Sequence, residues 1–167
     1  MSVTAQSIDE AAERLAGVVI QSPLQYNERL SAATGAKVWL KREDLQPVRS
    51  YKLRGAYNLI AQLSAAERTA GVVCASAGNH GQGVAYACAR LGIKAQIFVP
   101  STTPRQKRQR MRQLGEGWAE LIVHGDTYDE AAALAHQVAA EQGRTLVPAF
   151  DDERTIAGQG TVAAEIV

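Results

Sequence analysis

Short apolar runs alternating with helical segments constrain this chain more than any other feature. Gly71-Val72-Val73-Cys74-Ala75, Ala95–Val99, Leu121-Ile122-Val123 and Leu146-Val147 are too short and too apolar to be amphipathic helices. Between them lie segments with helical spacing and helical punctuation. Gly81 to Leu91 closes at Gly92. Pro104 stands as the first residue of a helix capped by Thr103 and stopped by Gly115. Thr127 and Glu130 form a capping box, Ala131, Leu134, Ala135 and Val138 give the stripe behind it, and Gly143 ends it. Strands separated by helices of this length run parallel, with the helices on the sheet faces. The sequence therefore predicts an α/β fold with a four-stranded parallel sheet flanked by helices.

The flanks are less regular. Ser7 and Glu10 are spaced as a capping box ahead of Ile8, Ala11, Ala12 and Leu15, and Gly17 ends that helix. A second helix is expected from Leu24 to Ala33, entered through Ser22-Pro23 and stopped by Gly35. Val38-Trp39-Leu40 reads as a short strand, Tyr51 to Leu63 as a helix capped by Ser50, and residues 64–71 as a polar break. A last helix starts near Gly158–Thr161 and is still open at Val167, so it is expected to continue in a longer reading frame.

With 46% hydrophobic and 21% charged residues the chain can build a core, and its net charge of +1 provides no field to recruit nucleic acid or an anionic membrane. Cys74 and Cys88 have neither a disulfide framework nor metal-site company, and His80, His124 and His136 have no mutual spacing suited to a metal, so no metal is expected. The N-terminus lacks a signal-peptide core, and no stretch approaches the 18 or so apolar residues of a membrane span. A cytoplasmic protein with no membrane partner is expected.

Two stretches can carry chemistry. In the first, Ser50-Tyr51-Lys52-Leu53-Arg54-Gly55, Lys52 stands in the first turn of a helix, where the dipole disfavours a cation. A neutral amine is what imine formation with an aldehyde requires. For an average lysine the plainer reading is a surface side chain. Gly55 leaves room for another backbone or a flat ring to approach. The second stretch, Ala75 to Gly83, links a strand to a helix. Gly78 and Gly81 bracket Asn79-His80, so a tight turn can present backbone N–H groups to a carboxylate or phosphate. Glycines serving the turn alone are as good an account on local grounds.

Together, "SYKLRGAYN" and "SAGNHGQGVA" resemble the fold-type-II enzymes that use pyridoxal 5′-phosphate (PLP), and "REDLQPVRSYKLRGAY" and "LVPAFDDERTIAGQGTVAAEI" narrow this to the biosynthetic threonine dehydratases. The resemblance runs from about Pro23 to the last residue. It implies a PLP-dependent lyase that deaminates L-threonine to 2-oxobutanoate and ammonia in isoleucine biosynthesis, as a homo-oligomer. Lys52 would hold the cofactor and remove the substrate α-proton. Asn79 would hydrogen-bond the cofactor's ring oxygen. Ser76, Ala77, Gly78, Asn79 and His80 would receive the substrate carboxylate. Residues 1–64 would begin a large domain, 70–148 would form a complete small domain, and 150–167 would start the return to the large one.

The family's lysine usually follows phenylalanine, and here it follows Tyr51. Relatives that racemise serine carry a second serine where this chain has Ala77, so elimination is favoured. The family's glycine-rich phosphate loop, the serine against its pyridine nitrogen and its isoleucine-sensing domain have no counterpart in these 167 residues. Weak or absent PLP binding and no turnover are therefore expected of the fragment. Two rival readings exist. Gly158-x-Gly160-x-x-Ala163 loosely matches a dinucleotide fingerprint, but no strand directly precedes it. Gly78-Asn79-His80-Gly81 matches the GxxG loop of a nucleic-acid-binding KH module, and Arg105, Lys107, Arg108, Arg110 and Arg112 supply a basic run. That run is more simply a solvated helix face.

Overall fold

The computed structural model describes residues 2–167; Met1, the first residue of the expected large-domain segment, lies outside the described residues. Helix α1 (Ala5–Leu15) is followed by strand β1 (Leu24–Tyr26), helix α2 (Glu28–Thr34), strand β2 (Trp39–Lys41) and a single 3₁₀ turn (Glu43–Leu45). Helices α3 (Lys52–Ala61) and α4 (Ala65–Ala70) precede the alternating part, which comprises β3 (Val72–Ala75), α5 (Asn79–Leu91), β4 (Ala95–Val99), α6 (Arg105–Gly115), β5 (Ala119–Val123), α7 (Tyr128–Gln142) and β6 (Thr145–Leu146). Helix α8 (Glu153–Ala164) closes the sequence.

The four alternating strands form one parallel sheet in the order β5-β4-β3-β6, as the sequence predicts. Val72 pairs with Ala95 on one side and with Thr145 on the other. Because side chains alternate along a strand, one sheet sorts its residues onto two faces. Val72 and Cys74 of β3 and Ala95, Ile97 and Val99 of β4 face α3, α5 and α6, where Leu53, Leu59, Ile60, Val84, Cys88 and Met111 meet them. Val73 and Phe98 face the opposite way, onto Ala131, Ala135 and Ala139 of α7. Those alanines recur every fourth residue, so α7 can lie close to the sheet with no bulk between. The first of the two cores is continuous from Val48 and α3 into the sheet.

Several expected boundaries move. Leu24–Tyr26 is a strand, paired antiparallel with Trp39–Lys41, and α2 begins only at Glu28 with Asn27 as its cap. The capping box of α1 is Thr4 with Ser7, three residues earlier than the Ser7–Glu10 spacing suggested. Residues 64–71 are not a break: Ser64 and Glu67 form a reciprocal capping box on α4. Thr103 does not cap α6. Pro104 takes the cap position without a side-chain bond, and the Thr103 hydroxyl is buried with no hydrogen-bond partner among the described residues. Helix α8 starts five residues before Gly158, where Asp152 accepts the N–H groups of Arg154 and Thr155.

The seating of α3 and α8 is close. A Cβ on Gly55 would stand 2.8 Å from the Thr155 carbonyl oxygen, and one on Gly158 would stand 2.6 Å from the Arg54 carbonyl oxygen. Gly55 thus admits another backbone, one of the two options its position suggested. Arg54 is fully buried beside this crossing. Its guanidinium donates to Glu43 at 2.8 and 2.9 Å, to Glu165 at 2.6 and 3.0 Å, and to the Thr161 hydroxyl at 3.0 Å. Lys41 also pairs with Glu165. This network ties the 3₁₀ turn, β2 and the end of α8 to α3.

Candidate active site

The candidate residues converge beyond the carboxyl end of β3. That strand has its sequence successor β4 on one side and the last strand, β6, on the other. In open parallel sheets a crevice forms outside the strand ends where the order changes in this way.

The Ser76 N–H donates to the Phe98 carbonyl at 3.0 Å, which carries the pairing of β3 one residue past the strand. The Ser76 hydroxyl then accepts the Gly78 N–H at 3.2 Å and turns the chain into α5. Asn79 and His80 are the first two residues of that helix, whereas the sequence suggested a helix from Gly81. The GxxG comparison therefore fails: here the motif is a strand-to-helix entry whose last three residues are helical. The basic residues 105–112 lie along α6 and are largely solvent-exposed.

The bracketing glycines divide their work. A Cβ on Gly78 would meet nothing within 4 Å, and its φ is ordinary. One on Gly81 would lie 2.7 Å from the Ser76 carbonyl oxygen, so Gly81 is what lets α5 start under its own entry loop. One on Gly83 would lie 3.1 Å from the Lys52 carbonyl oxygen. The first turns of α5 and α3 thereby come together, and with them the two stretches the sequence singled out.

Lys52 is the first residue of α3, so the cap position falls on Tyr51, without a side-chain cap bond, and not on Ser50 as the sequence suggested. The Ser50 hydroxyl instead accepts the Lys52 N–H at 3.2 Å and orders the turn ahead of the helix. Arg49, at φ 55°, swings the chain into this turn. The Lys52 side chain is half-buried, and its Nζ donates to the Ala149 carbonyl at 2.7 Å. It also lies 5.3 Å from the centroid of the Tyr51 ring, a weak cation–π contact. No carboxylate pairs with Lys52 among the described residues.

Asn79 is exposed, and its amide has no partner among the described residues. Ser76, Ala77 and Gly78 are half-buried. His80 is only 4% exposed. Its Nε2 lies 2.7 Å from the Val147 carbonyl, and its Nδ1 is buried with no hydrogen-bond partner among the described residues. Burial, opposed by the Val147 bond and joined by the nearby Lys52 charge, lowers the imidazole to about 4, so the ring is neutral at physiological pH.

Some participants were not legible in the sequence. The segment after β6, Val147-Pro148-Ala149, runs across the mouth of the site. Its Pro148 carbonyl accepts the Thr155 hydroxyl at 3.3 Å, and its Ala149 carbonyl accepts the Gln159 amide at 3.1 Å as well as Lys52. The space for Gln159 to reach Ala149 is the space Gly55 leaves open, because a Cβ there would stand 2.8 Å from Gln159 Nε2. A cavity of about 270 Å³ lies at the end of β3, between Cys74, Ala75, Ala149 and Phe150 on one side and Tyr128 and His136 of α7 on the other. A larger one, about 1020 Å³, lies between the start of α1 and the start of α8 and contains none of the candidate residues.

A model of the family described as pyridoxal-phosphate dependent enzymes matches residues 15–167. The chain belongs to this family. Biosynthetic L-threonine dehydratase of Mycobacterium tuberculosis is 60% identical over 166 residues, which are 99% of this chain and 39% of that protein. The enzyme of the same description from Bacillus subtilis is 48% identical over 165 residues, with the same coverage. The chain thus spans about two fifths of the length of the curated relatives it matches. Among solved structures, the processed form of threonine deaminase isoform 2 from Solanum lycopersicum superposes with a TM-score of 0.86 at 40% identity, covering 99% of this chain and 49% of that one. Maize serine racemase superposes with a TM-score of 0.92 at 31% identity, covering 99% and 50%. The four-stranded parallel sheet flanked by helices agrees with the fold of these neighbours. No helix among the described residues is long and apolar enough to cross a membrane.

Proposed function

We propose that this chain carries the lysine part of a threonine dehydratase site, in a protein that deaminates L-threonine to 2-oxobutanoate and ammonia with PLP. The observation that carries the reading is the placement of Lys52. It stands at the start of α3 against the first turn of α5, and its amine is held by a backbone carbonyl rather than by a carboxylate. An amine bound only to a neutral acceptor can leave it for an aldehyde at modest cost, whereas leaving a buried carboxylate would strand a charge. The names of the 48–60% identical relatives supply the reaction.

The residues present fit the cofactor on one side. Lys52 would hold it and move the substrate α-proton at Nζ. Asn79, with its amide unengaged, would donate to the ring oxygen. Ser76, Ala77, Gly78, Asn79 and His80 would present the backbone that orients the substrate carboxylate. Ala77 offers no hydroxyl to deliver a proton to the opposite face, which favours elimination. When bound, PLP supplies the electron sink for the carbanion, and the protein supplies position and exclusion of water. In this reading residues 1–64 and 150–167 belong to a large domain and 70–148 to a small one, the protein works in isoleucine biosynthesis in the cytoplasm, and it assembles as a homo-oligomer. Turnover belongs to the whole protein, because this chain spans about two fifths of its relatives, and weak PLP binding is expected of the chain alone.

The test uses added PLP, borohydride reduction and peptide mapping. Modification concentrated on Lys52 is expected, together with loss of threonine deamination in the full-length protein carrying Lys52→Ala. Reduced cofactor spread over Lys37, Lys94 and Lys107 with Lys52 spared, or a Lys52→Ala enzyme of undiminished rate, would overturn the assignment.

A further inference from the structure

Three consecutive carbonyls, those of Val147, Pro148 and Ala149, are each held by a helix side chain, the first and third by residues 67 and 97 positions away and the second and third by the helix that follows. His80 of α5 holds the first at 2.7 Å and Thr155 of α8 the second at 3.3 Å. Lys52 of α3 and Gln159 of α8 share the third at 2.7 and 3.1 Å. A segment this short, with Pro148 at its centre, has little freedom of its own. Where its first carbonyl is fixed, its third follows.

We propose that His80 is a positioning residue for Lys52: by donating Nε2–H to the Val147 carbonyl it sets the strap whose Ala149 carbonyl is the resting acceptor of the lysine amine. The bearing of this on catalysis rests on Lys52 being the reactive amine, as proposed above. The assignment of the proton follows from chemistry. A carbonyl oxygen only accepts, so Nε2 must carry the hydrogen and Nδ1 must be bare. Nδ1 is buried without a partner among the described residues, so among them the Val147 bond is the ring's whole polar engagement. If packing alone were required at position 80, an apolar side chain would serve without leaving a lone pair unsatisfied. The lowered basicity of the ring agrees, since a charged imidazole would hold a proton on both nitrogens and place a second cation near Lys52.

Gln159 gives the arrangement a second use. The Ala149 oxygen has two lone pairs, and when the lysine nitrogen departs one donor remains. The strap therefore does not collapse into the vacated position, and the amine has the same acceptor to return to.

The test needs no cofactor. Amines of the 167-residue chain are labelled at pH 7.5 with a limiting amount of acetic anhydride, and labelling at Lys52 is compared with labelling at exposed Lys107 by peptide mapping. In His80→Leu the Ala149 carbonyl is held less well, so the ammonium form of Lys52 loses part of one hydrogen bond. The Lys52/Lys107 ratio is expected to rise roughly three- to tenfold, the range for partial loss of a hydrogen bond to a charged group. His80→Gln, which keeps a donor near Nε2, is expected to return the ratio to within about twofold of wild type. An unchanged ratio in a folded His80→Leu chain, or a glutamine variant that behaves like the leucine one, overturns the proposal. Should the leucine variant fail to fold, nitrogen NMR of the wild-type ring decides. A protonated, slowly exchanging Nε2 with bare Nδ1 is expected, and the opposite tautomer refutes the proposal. None of these readouts involves PLP, so they can fail while the dehydratase reading survives, and the reverse also holds.

Discussion

Arg54→Met removes the one guanidinium in the buried network and keeps most of the volume. The loss falls unequally on the two carboxylates. Glu165 retains Lys41, whereas Glu43 retains only neutral donors, the Ser22 hydroxyl at 2.7 Å and the Gln46 amide at 3.2 Å. Glu43 is 8% exposed, so its charge is left nearly dry. Breaking a buried pair by removing one partner typically costs about 3–5 kcal/mol, against a total stability of about 5–15 kcal/mol for a domain. With a urea slope of about 1–3 kcal/mol per molar, the unfolding midpoint should fall by roughly 2 M. The assay is urea unfolding followed by far-ultraviolet circular dichroism at pH 7 and again at pH 4. In the wild type, burial would raise the Glu43 carboxyl, but hydrogen bonds from Arg54 and Ser22 outweigh it and hold the group below its ordinary 4.5. Glu165 is held below 4.5 in the same way by Arg54 and Lys41. Groups lowered on folding contribute stability that is present above the unfolded value and lost as pH falls through the folded one. In the variant the sign reverses for Glu43: burial without a cation raises the group, so the penalty is present at pH 7 and fades as the carboxyl protonates in acid. The difference between wild type and variant should therefore shrink between pH 7 and pH 4. A penalty under about 1 kcal/mol at pH 7, or one that does not change with pH, would refute the account of this network as a charge-balanced unit.

Three further outcomes are expected. Gly158→Ala, whose Cβ would stand 2.6 Å from the Arg54 carbonyl oxygen, should destabilise by about 1–3 kcal/mol, while Gly78→Ala, with open space, should stay within about 0.5 kcal/mol in the same unfolding assay. Thr127→Ala removes the cap of α7, where Thr127 Oγ accepts the Glu130 N–H at 3.3 Å, and should cost about 1 kcal/mol. Cys88, pushed up to about 12 by burial, and Cys74, raised further by burial beside Cys88, should resist a thiol reagent until denaturant is added; fast labelling of either in the native chain would contradict their place in the core.

The parallel sheet was legible because its signals are local: each strand is a short apolar run, and each crossover helix has helical spacing and a glycine at its end. Lys52 and the Asn79 stretch were legible as motifs, and so was the turn at Ser50. What escaped depended on partners far away. Leu24–Tyr26 is exposed along its whole length, and only pairing with Trp39–Lys41 makes it a strand. Helix α4 buries no residue, so it shows no apolar stripe, although its Ser64–Glu67 capping box was on view. The start of α8 was hidden because Gly158 and Gly160 look like breakers; they are glycines for close packing, against Arg54 and Ile8, inside a helix already begun at Glu153. The side chain of His80 could not be placed from spacing, since its partner Val147 is 67 residues on.

The seating of α8 on α3 also has a kinetic side. Arg54 meets Glu165 across 111 residues, Asn58 meets the Arg154 carbonyl across 96, and Lys52 meets Ala149 across 97. Closing loops of that length is entropically costly until the intervening sheet has shortened them. The sheet and its crossover helices hold their neighbours through contacts closer in sequence, so they have the means to form first. The order of assembly then runs from the strands outward, and the lysine turn, though it precedes the sheet in the chain, reaches its final position last. Amide exchange should find the reverse on opening: the α8 amides lose protection at lower free energy than those of β3 and β4.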